Sequence, residues 1–268
     1  MPFIFIPMSL REFTDQMGHR VVVSFPPKRI VSLVPSQTEL LAYLGLNDRV
    51  VGITKFCVHP VGWRTSKTII GGTKKFDFEK IYSLKPDLII GNKEENYPEG
   101  ISRLKKELPV WMSDVITLDD ARKMIQGIGS ITGCENQAAV LIHQIDHGFQ
   151  LIKKVGPFSV IYLIWKNPWM AAGRNTFIHA MLEAAGFRNA VVESRYPELT
   201  DDDLRQLHPD VILLSSEPYP FSEKHILALQ HIVPHPKILL VDGEIFSWYG
   251  SRLLKFPEYL SALTLQLQ

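Results

Sequence analysis

Short apolar runs, each closed by turn residues, alternate along most of this chain with longer stretches whose apolar positions recur at steps of three and four. The runs are "IVSLV" (30–34), "RVVGIT" (49–54), "TII" (68–70), "DLIIGN" (87–92) and "PVWMS" (109–113). They resume at "SVIYLIW" (159–165), "DVILLS" (210–215) and "KILLVD" (237–242). Each run reads as a buried strand and each longer stretch as a helix, which implies parallel sheet in an α/β architecture. Helices are expected from Ser36, where Ser36-Gln37-Thr38-Glu39 fits a capping box, at 77–84 with Asp77 as N-cap, and at 99–108. Further helices are expected near 176–185, 200–207, 222–231 and 249–266. Residues 11–25 read as a hairpin turning at Gly18.

The alternation stops between about Leu118 and Val155, where two helical patterns follow one another. The second is "CENQAAVLIHQIDHGFQLIKKV", with Ala138, Leu141, Ile142, Ile145, Phe149 and Ile152 on one face. About 20 helical residues would reach roughly 30 Å. The expected organisation is an N-terminal lobe over 1–116, a helical connector over 117–156 and a C-terminal lobe over 157–268. A repeated phrase supports it: Leu84-Lys85-Pro86-Asp87 and Leu207-His208-Pro209-Asp210 both lead from a helix into a strand. The alternative is that the phrase is only a good helix-to-strand turn, arrived at twice.

Composition narrows the function. The 268 residues are 46% hydrophobic and 21% charged, and 29 basic against 28 acidic side chains leave a formal charge of +1. That balance offers no footprint for nucleic acid or an anionic membrane. No apolar stretch reaches the roughly 20 residues of a transmembrane helix. The start "MPFIFIPMSLREF" is apolar but lacks a basic region and a cleavage site, so a cytoplasmic location is expected as written, and a periplasmic one if a leader has been removed. Cys57 and Cys134 form no C-x-x-C pair and read as free thiols, with a single bridge as the alternative for an exported chain. G-x-S-x-G and G-x-G-x-x-G are absent, Gly71-Gly72-Thr73-Lys74 is not a phosphate loop, and "HQIDH" (143–147) lacks the glutamate of a zinc-protease helix.

"PPKRIVSLVPSQTELLAYLGLNDRVVGIT" followed by "FEKIYSLKPDLIIG" resembles the substrate-binding proteins of ABC importers for cobalamin, haem and iron-siderophores. The resemblance runs from about residue 12 to the end. It implies two Rossmann-like lobes joined by a single long backbone helix, with the ligand in the cleft between the lobes. "NPWMAAGRNTFI" (167–178), "SSEPYPF" (215–221) and "DGEIFSWYGSRLL" (242–254) are similar to the cobalamin-binding branch.

A corrinoid cleft needs aromatic walls and scattered hydrogen-bonding groups rather than strong charge. In open α/β sheets such sites lie beyond the carboxyl ends of strands. The candidates there are Ser36, Phe56, His59, Trp165, Trp169, Arg174, Tyr219, Phe246, Trp248 and Tyr249, with Arg252 beside them. His59 has no partner at metal-ligand spacing, so no metal site is expected. Glu79 and Asp202 each lie eight residues before the aspartate of their copy of the repeat. The resemblance assigns that pair to docking on a permease; their other reading is charge complementing a helix N-terminus.

The sequence thus points to a monomeric, non-enzymatic protein that binds a corrinoid as ligand, without a resident cofactor, for import or for handling inside the cell. Its partners would be a corrinoid or another large metal chelate and an ABC permease. Haem or a ferric siderophore is the alternative ligand, and an enzyme on a related two-lobed scaffold is the alternative class.

Overall fold

The computed structural model describes residues 9–267. The chain divides into two compact units. Unit 1 takes the chain up to Val115 with Asp119–Gln144 and Tyr249–Ser251; unit 2 takes Ile116–Leu118, Ile145–Trp248 and the chain from Arg252 onward.

Unit 1 opens with the expected hairpin, β1 (Ser9–Thr14) antiparallel to β2 (Arg20–Phe25). Its sheet contains β3 (Ile30–Ser32), β4 (Val50–Ile53), β5 (Thr68–Ile69), β8 (Leu88–Asn92) and β9 (Val110–Ser113). The order is β5-β4-β3-β8-β9 and every pairing is parallel. The chain builds outward from β3 to β5, then returns to the other side of β3, so the direction of winding reverses between β3 and β8. Helices α1 (Pro35–Tyr43), α2 (Trp63–Ser66), α3 (Phe78–Ser83) and α4 (Pro98–Lys105) fill the connections. The core is aliphatic: Val31, Leu33, Ile81, Ile89 and Leu104 are fully buried.

One local expectation needs correction. The capping box at Ser36 does not form. Val34 is the N-cap of α1, Pro35 opens the helix and Ser36 lies buried in the first turn. Proline suits that first position because its ring presets the helical φ and it brings no N–H to satisfy. The "GGTK" loop is itself a small hairpin, β6 (Gly71–Gly72) with β7 (Lys75–Phe76). Gly71 sits at φ +101°, and a Cβ there would lie 2.4 Å from the Lys75 carbonyl oxygen. Asp77 caps α3 as expected, accepting from Lys80 N–H at 3.1 Å.

Two helices follow, α5 (Leu118–Thr132) and α6 (Glu135–Gln150). Ala138, Leu141 and Ile145 of the expected apolar face are buried. The second helix is shorter than its sequence pattern. Its end tightens into bonds from Leu151 N–H to Gly148 O and from Ile152 N–H to Phe149 O, and Val155 N–H then bonds to Ala185 O (2.9 Å). A tertiary partner thus takes backbone that periodicity had assigned to the helix.

Unit 2 contains β10 (Ser159–Trp165), β11 (Trp169–Ala171), α7 (Phe177–Ala185), β12 (Arg188–Asn189), β13 (Glu198–Leu199), α8 (Asp201–Gln206), β14 (Val211–Ser215), α9 (Glu223–Ile232), β15 (Lys237–Val241), α10 (Gly243–Ser247) and α11 (Phe256–Leu267). Its sheet runs β13-β11-β10-β14-β15, with β12 also beside β10. β10, β12, β14 and β15 pair in parallel; β11 and β13 add antiparallel. Strands as short as β11, β12 and β13 carry no readable period, which is why the sequence did not announce them. The expected helix over 249–266 starts late instead. Gly250 at φ +111° breaks it, and α11 begins at Phe256 with Pro257 in its first turn.

The repeated phrase has the same structure in both units. Leu84 and Leu207 end α3 and α8, and Lys85 and His208 take left-handed backbone at φ 46° and 44°. The aspartate then bridges to the start of the adjacent parallel strand. Asp87 accepts from Lys28 N–H and Arg29 N–H, both at 2.7 Å, and Asp210 accepts from Ser159 N–H at 2.7 Å. Its own N–H returns a bond to Arg29 O in one case and to Ser159 O in the other. Each copy therefore pins β8 onto β3, or β14 onto β10, where the winding of the sheet reverses.

Candidate functional site

In each unit a loop at the carboxyl end of a central strand carries a partly buried carboxylate bonded to an aromatic side chain. In unit 1, Asn92 at the end of β8 organises the loop. Its Oδ1 accepts from Glu94 N–H (2.8 Å) and Glu95 N–H (3.1 Å), and its Nδ2 donates to Ser113 Oγ (2.9 Å). Asn96 Oδ1 accepts from Asn92 N–H, and its Nδ2 donates to Leu33 O and Thr73 O. A loop held at so many points presents Glu95 in one place. The Tyr249 hydroxyl donates to Glu95 Oε1 at 3.1 Å, and buried Ser36 lies close to the same phenol. Burial, with the Glu95 charge next, pushes the Tyr249 phenol well above its usual value, so it stays a neutral donor.

The loop after β4 holds three more features. Phe56 is 50% exposed, with Lys55 Nζ 5.0 Å above its ring. Cys57 is fully buried between Thr38 and Thr54, and burial raises its thiol pKa; it and Cys134 are both free thiols. His59 is half-buried in the same loop. Among the described residues no group of three His, Cys, Asp or Glu side chains gathers as a metal site.

In unit 2 the end of β10 and the loop after β14 form an aromatic run. Trp165, 40% exposed, meets Tyr219 edge to face at 5.4 Å; Tyr219 meets Phe221 at 4.8 Å; and Phe221 stacks on Trp169 at 6.4 Å. Trp169 is buried and donates from Nε1 to Asp201 at 2.9 Å. Beyond the carboxyl ends of β14 and β15 lies a polar cluster. Trp248 Nε1 and Ser247 Oγ donate to Glu217 Oε1 at 2.8 and 3.0 Å. Arg252 lies 4.9 Å over the Trp248 ring and pairs with Glu244 at 3.0 Å. Gly243 is required here, because a Cβ would lie 2.4 Å from Ser215 Oγ and 2.6 Å from Glu217 Cγ.

The structure therefore groups Trp165, Trp169 and Tyr219, sets Trp248 beside Arg252, and sets Ser36 beside Tyr249. It places Phe246 elsewhere. That ring is fully buried among Tyr162, Phe256 and Tyr259, in the core of unit 2. Arg174 is exposed, and its backbone bridges to Ser194. Glu79 and Asp202 are both exposed and both second in their helices, α3 and α8; Asp202 pairs with Arg205 on its own helix. Sequence reasoning missed Glu95 and Glu217. The signal was present, since continuing the repeat past each strand brings up Glu94 and Glu95 in one copy and Glu217 in the other.

Parallel sheets that reverse their winding between central strands, with aromatic and polar groups gathered at those strands' carboxyl ends, define a ligand-binding α/β protein of two Rossmann-like lobes. The chain belongs to the periplasmic binding protein family, whose pattern matches residues 30–237. It is 28% identical over 264 residues to an uncharacterized ABC transporter substrate-binding lipoprotein, YvrC, of Bacillus subtilis, covering 92% of this chain and 83% of that one. It is 23% identical over 215 residues to the vitamin B12-binding protein of Vibrio cholerae, covering 78% and 75%. The periplasmic heme-binding protein BhuT, solved with two hemes, superposes with a TM-score of 0.78 at 23% identity, covering 90% of this chain and 97% of that one; the likeness is one of fold.

Proposed function

We propose that the chain is the solute-binding protein of an ABC-type importer and that its ligand is a corrinoid. The observation that carries the ligand is the aromatic run Trp165–Tyr219–Phe221–Trp169 at the carboxyl ends of β10 and β14, whose outermost ring is the half-exposed Trp165. Flat, largely uncharged ligands bury apolar area on such walls at about 25 cal/mol per Å² before ordering costs. Binding rather than catalysis is the role: the aromatic walls and bonded carboxylates supply recognition without an activated nucleophile.

The proteins compared above include a lipoprotein and a periplasmic protein by their descriptions. The importer reading accordingly puts the working protein on the outer side of a membrane, in place of the cytoplasmic location expected from the start of the sequence. Among the described residues no helix is long and apolar enough to cross a membrane. Glu79 and Asp202, exposed and equivalent in the repeat, are the docking residues toward the permease in this reading.

The test is a titration of the purified protein with cyanocobalamin and, separately, haemin, followed by visible absorbance and tryptophan fluorescence. Saturable quenching by cyanocobalamin at low micromolar concentration is expected. Binding of haemin alone would replace the ligand and leave the family intact.

A further inference from the structure

Glu217 stands two residues past the end of β14 with an unusual set of neighbours. Both of its hydrogen bonds, from Trp248 Nε1–H and Ser247 Oγ–H, end on Oε1. A carboxylate has acceptor capacity on each oxygen, so Oε2 keeps its own. Arg252, the cationic side chain over the Trp248 ring, pairs with Glu244. Burial, with the like charges of Glu244 and Asp242 behind it, holds the Glu217 carboxyl above the ordinary range against the two hydrogen bonds that lower it. The cluster thus presents an acceptor in a field that is already negative.

Such a group discriminates between ligand edges. A neutral amide N–H donates to Oε2 and adds no charge. A ligand carboxylate brings another negative charge beside Glu217, Glu244 and Asp242 and is repelled. Rejection by an uncompensated like charge is a common source of specificity.

Resting on the corrinoid reading above, we propose that Glu217 is a specificity-determining residue: it selects a macrocycle whose edge carries neutral amides over one whose edge carries carboxylates. The choice is made within unit 2, by the loop after β14 together with Ser247 and Trp248.

The experiment uses two probes with the same ring, dicyanocobinamide with amide edges and dicyanocobyrinic acid with carboxylate edges. Each is titrated by tryptophan quenching against the wild-type protein and Glu217→Gln. The glutamine oxygen still accepts from Trp248 and Ser247, and a thermal melt checks that the variant is folded. Wild type should prefer the amide ring by more than about tenfold, and Glu217→Gln should bring the ratio to within about threefold. An unchanged ratio in the variant overturns the proposal, as does a wild-type preference for the carboxylate ring. If neither ring binds, the corrinoid reading has failed, and the same comparison is made with haemin and its bis-amide. Preference for the bis-amide that Glu217→Gln removes then sustains the role of Glu217. Preference for haemin, or binding of none of the four probes, overturns it.

Discussion

Trp165 and Phe246 both follow a strand end in the sequence, and their burial separates them. Trp165 is 40% exposed and touches its neighbours by one edge, whereas Phe246 has no exposed surface. Phe246→Ala should therefore cost about 3–5 kcal/mol of stability, the usual range for emptying a buried ring. Trp165→Ala should change stability by less than about 0.5 kcal/mol, as surface substitutions do. It should weaken ligand binding by roughly 1–3 kcal/mol, as truncation of a contact aromatic does. Urea unfolding and fluorescence titration of the two variants check the contrast. An unfolding midpoint moved more by Trp165→Ala than by Phe246→Ala would reverse the assignment.

At the scale of elements, the repeated Pro-Asp turn fixes strand pairing. Asp87 accepts two backbone N–H groups at the start of β3, and Asp210 accepts one at the start of β10. The bonds to Asp87 are exposed and the one to Asp210 is partly buried, so each should be worth about 1–1.5 kcal/mol, the upper part of the net range for a protein hydrogen bond. Asp87→Ala should thus destabilise the protein by about 2–3 kcal/mol and Asp210→Ala by about 1–1.5 kcal/mol. Asparagine at either position should recover part of the loss, because its carbonyl still accepts. Denaturant midpoints measure all four variants, and equal losses at the two sites would show that the number of N–H partners is not what matters.

For the whole molecule, the docking reading makes recognition of ligand and of permease separable. Glu79 and Asp202 lie at the amino ends of α3 and α8, whereas the aromatic run and the Glu217 cluster lie at the carboxyl ends of strands. Replacing both acids by alanine should leave the dissociation constant for cyanocobalamin within about twofold, a change under the 1.4 kcal/mol that a factor of ten represents. Uptake by cells relying on this protein should fall. Loss of ligand affinity in the double variant would move these residues out of the docking role.

The sequence by itself determined the α/β class, the strands long enough to show as apolar runs, the helical stretch that interrupts them, and the family. These are legible because each rests on local periodicity or on a phrase repeated in order. Most aromatic candidates were legible too, since a ring directly after a strand end is a position in the chain. Tertiary structure decided what periodicity cannot carry. It ended α6 at Gln150 by giving the backbone beyond it partners elsewhere, and it paired the two- and three-residue strands. It turned Phe246 into the core and Ser36 into a helix turn. It also made Glu95 and Glu217 candidate site residues, because partial burial and a specific donor act on each. Those donors, Tyr249 and Trp248, lie far along the chain from the acids they meet.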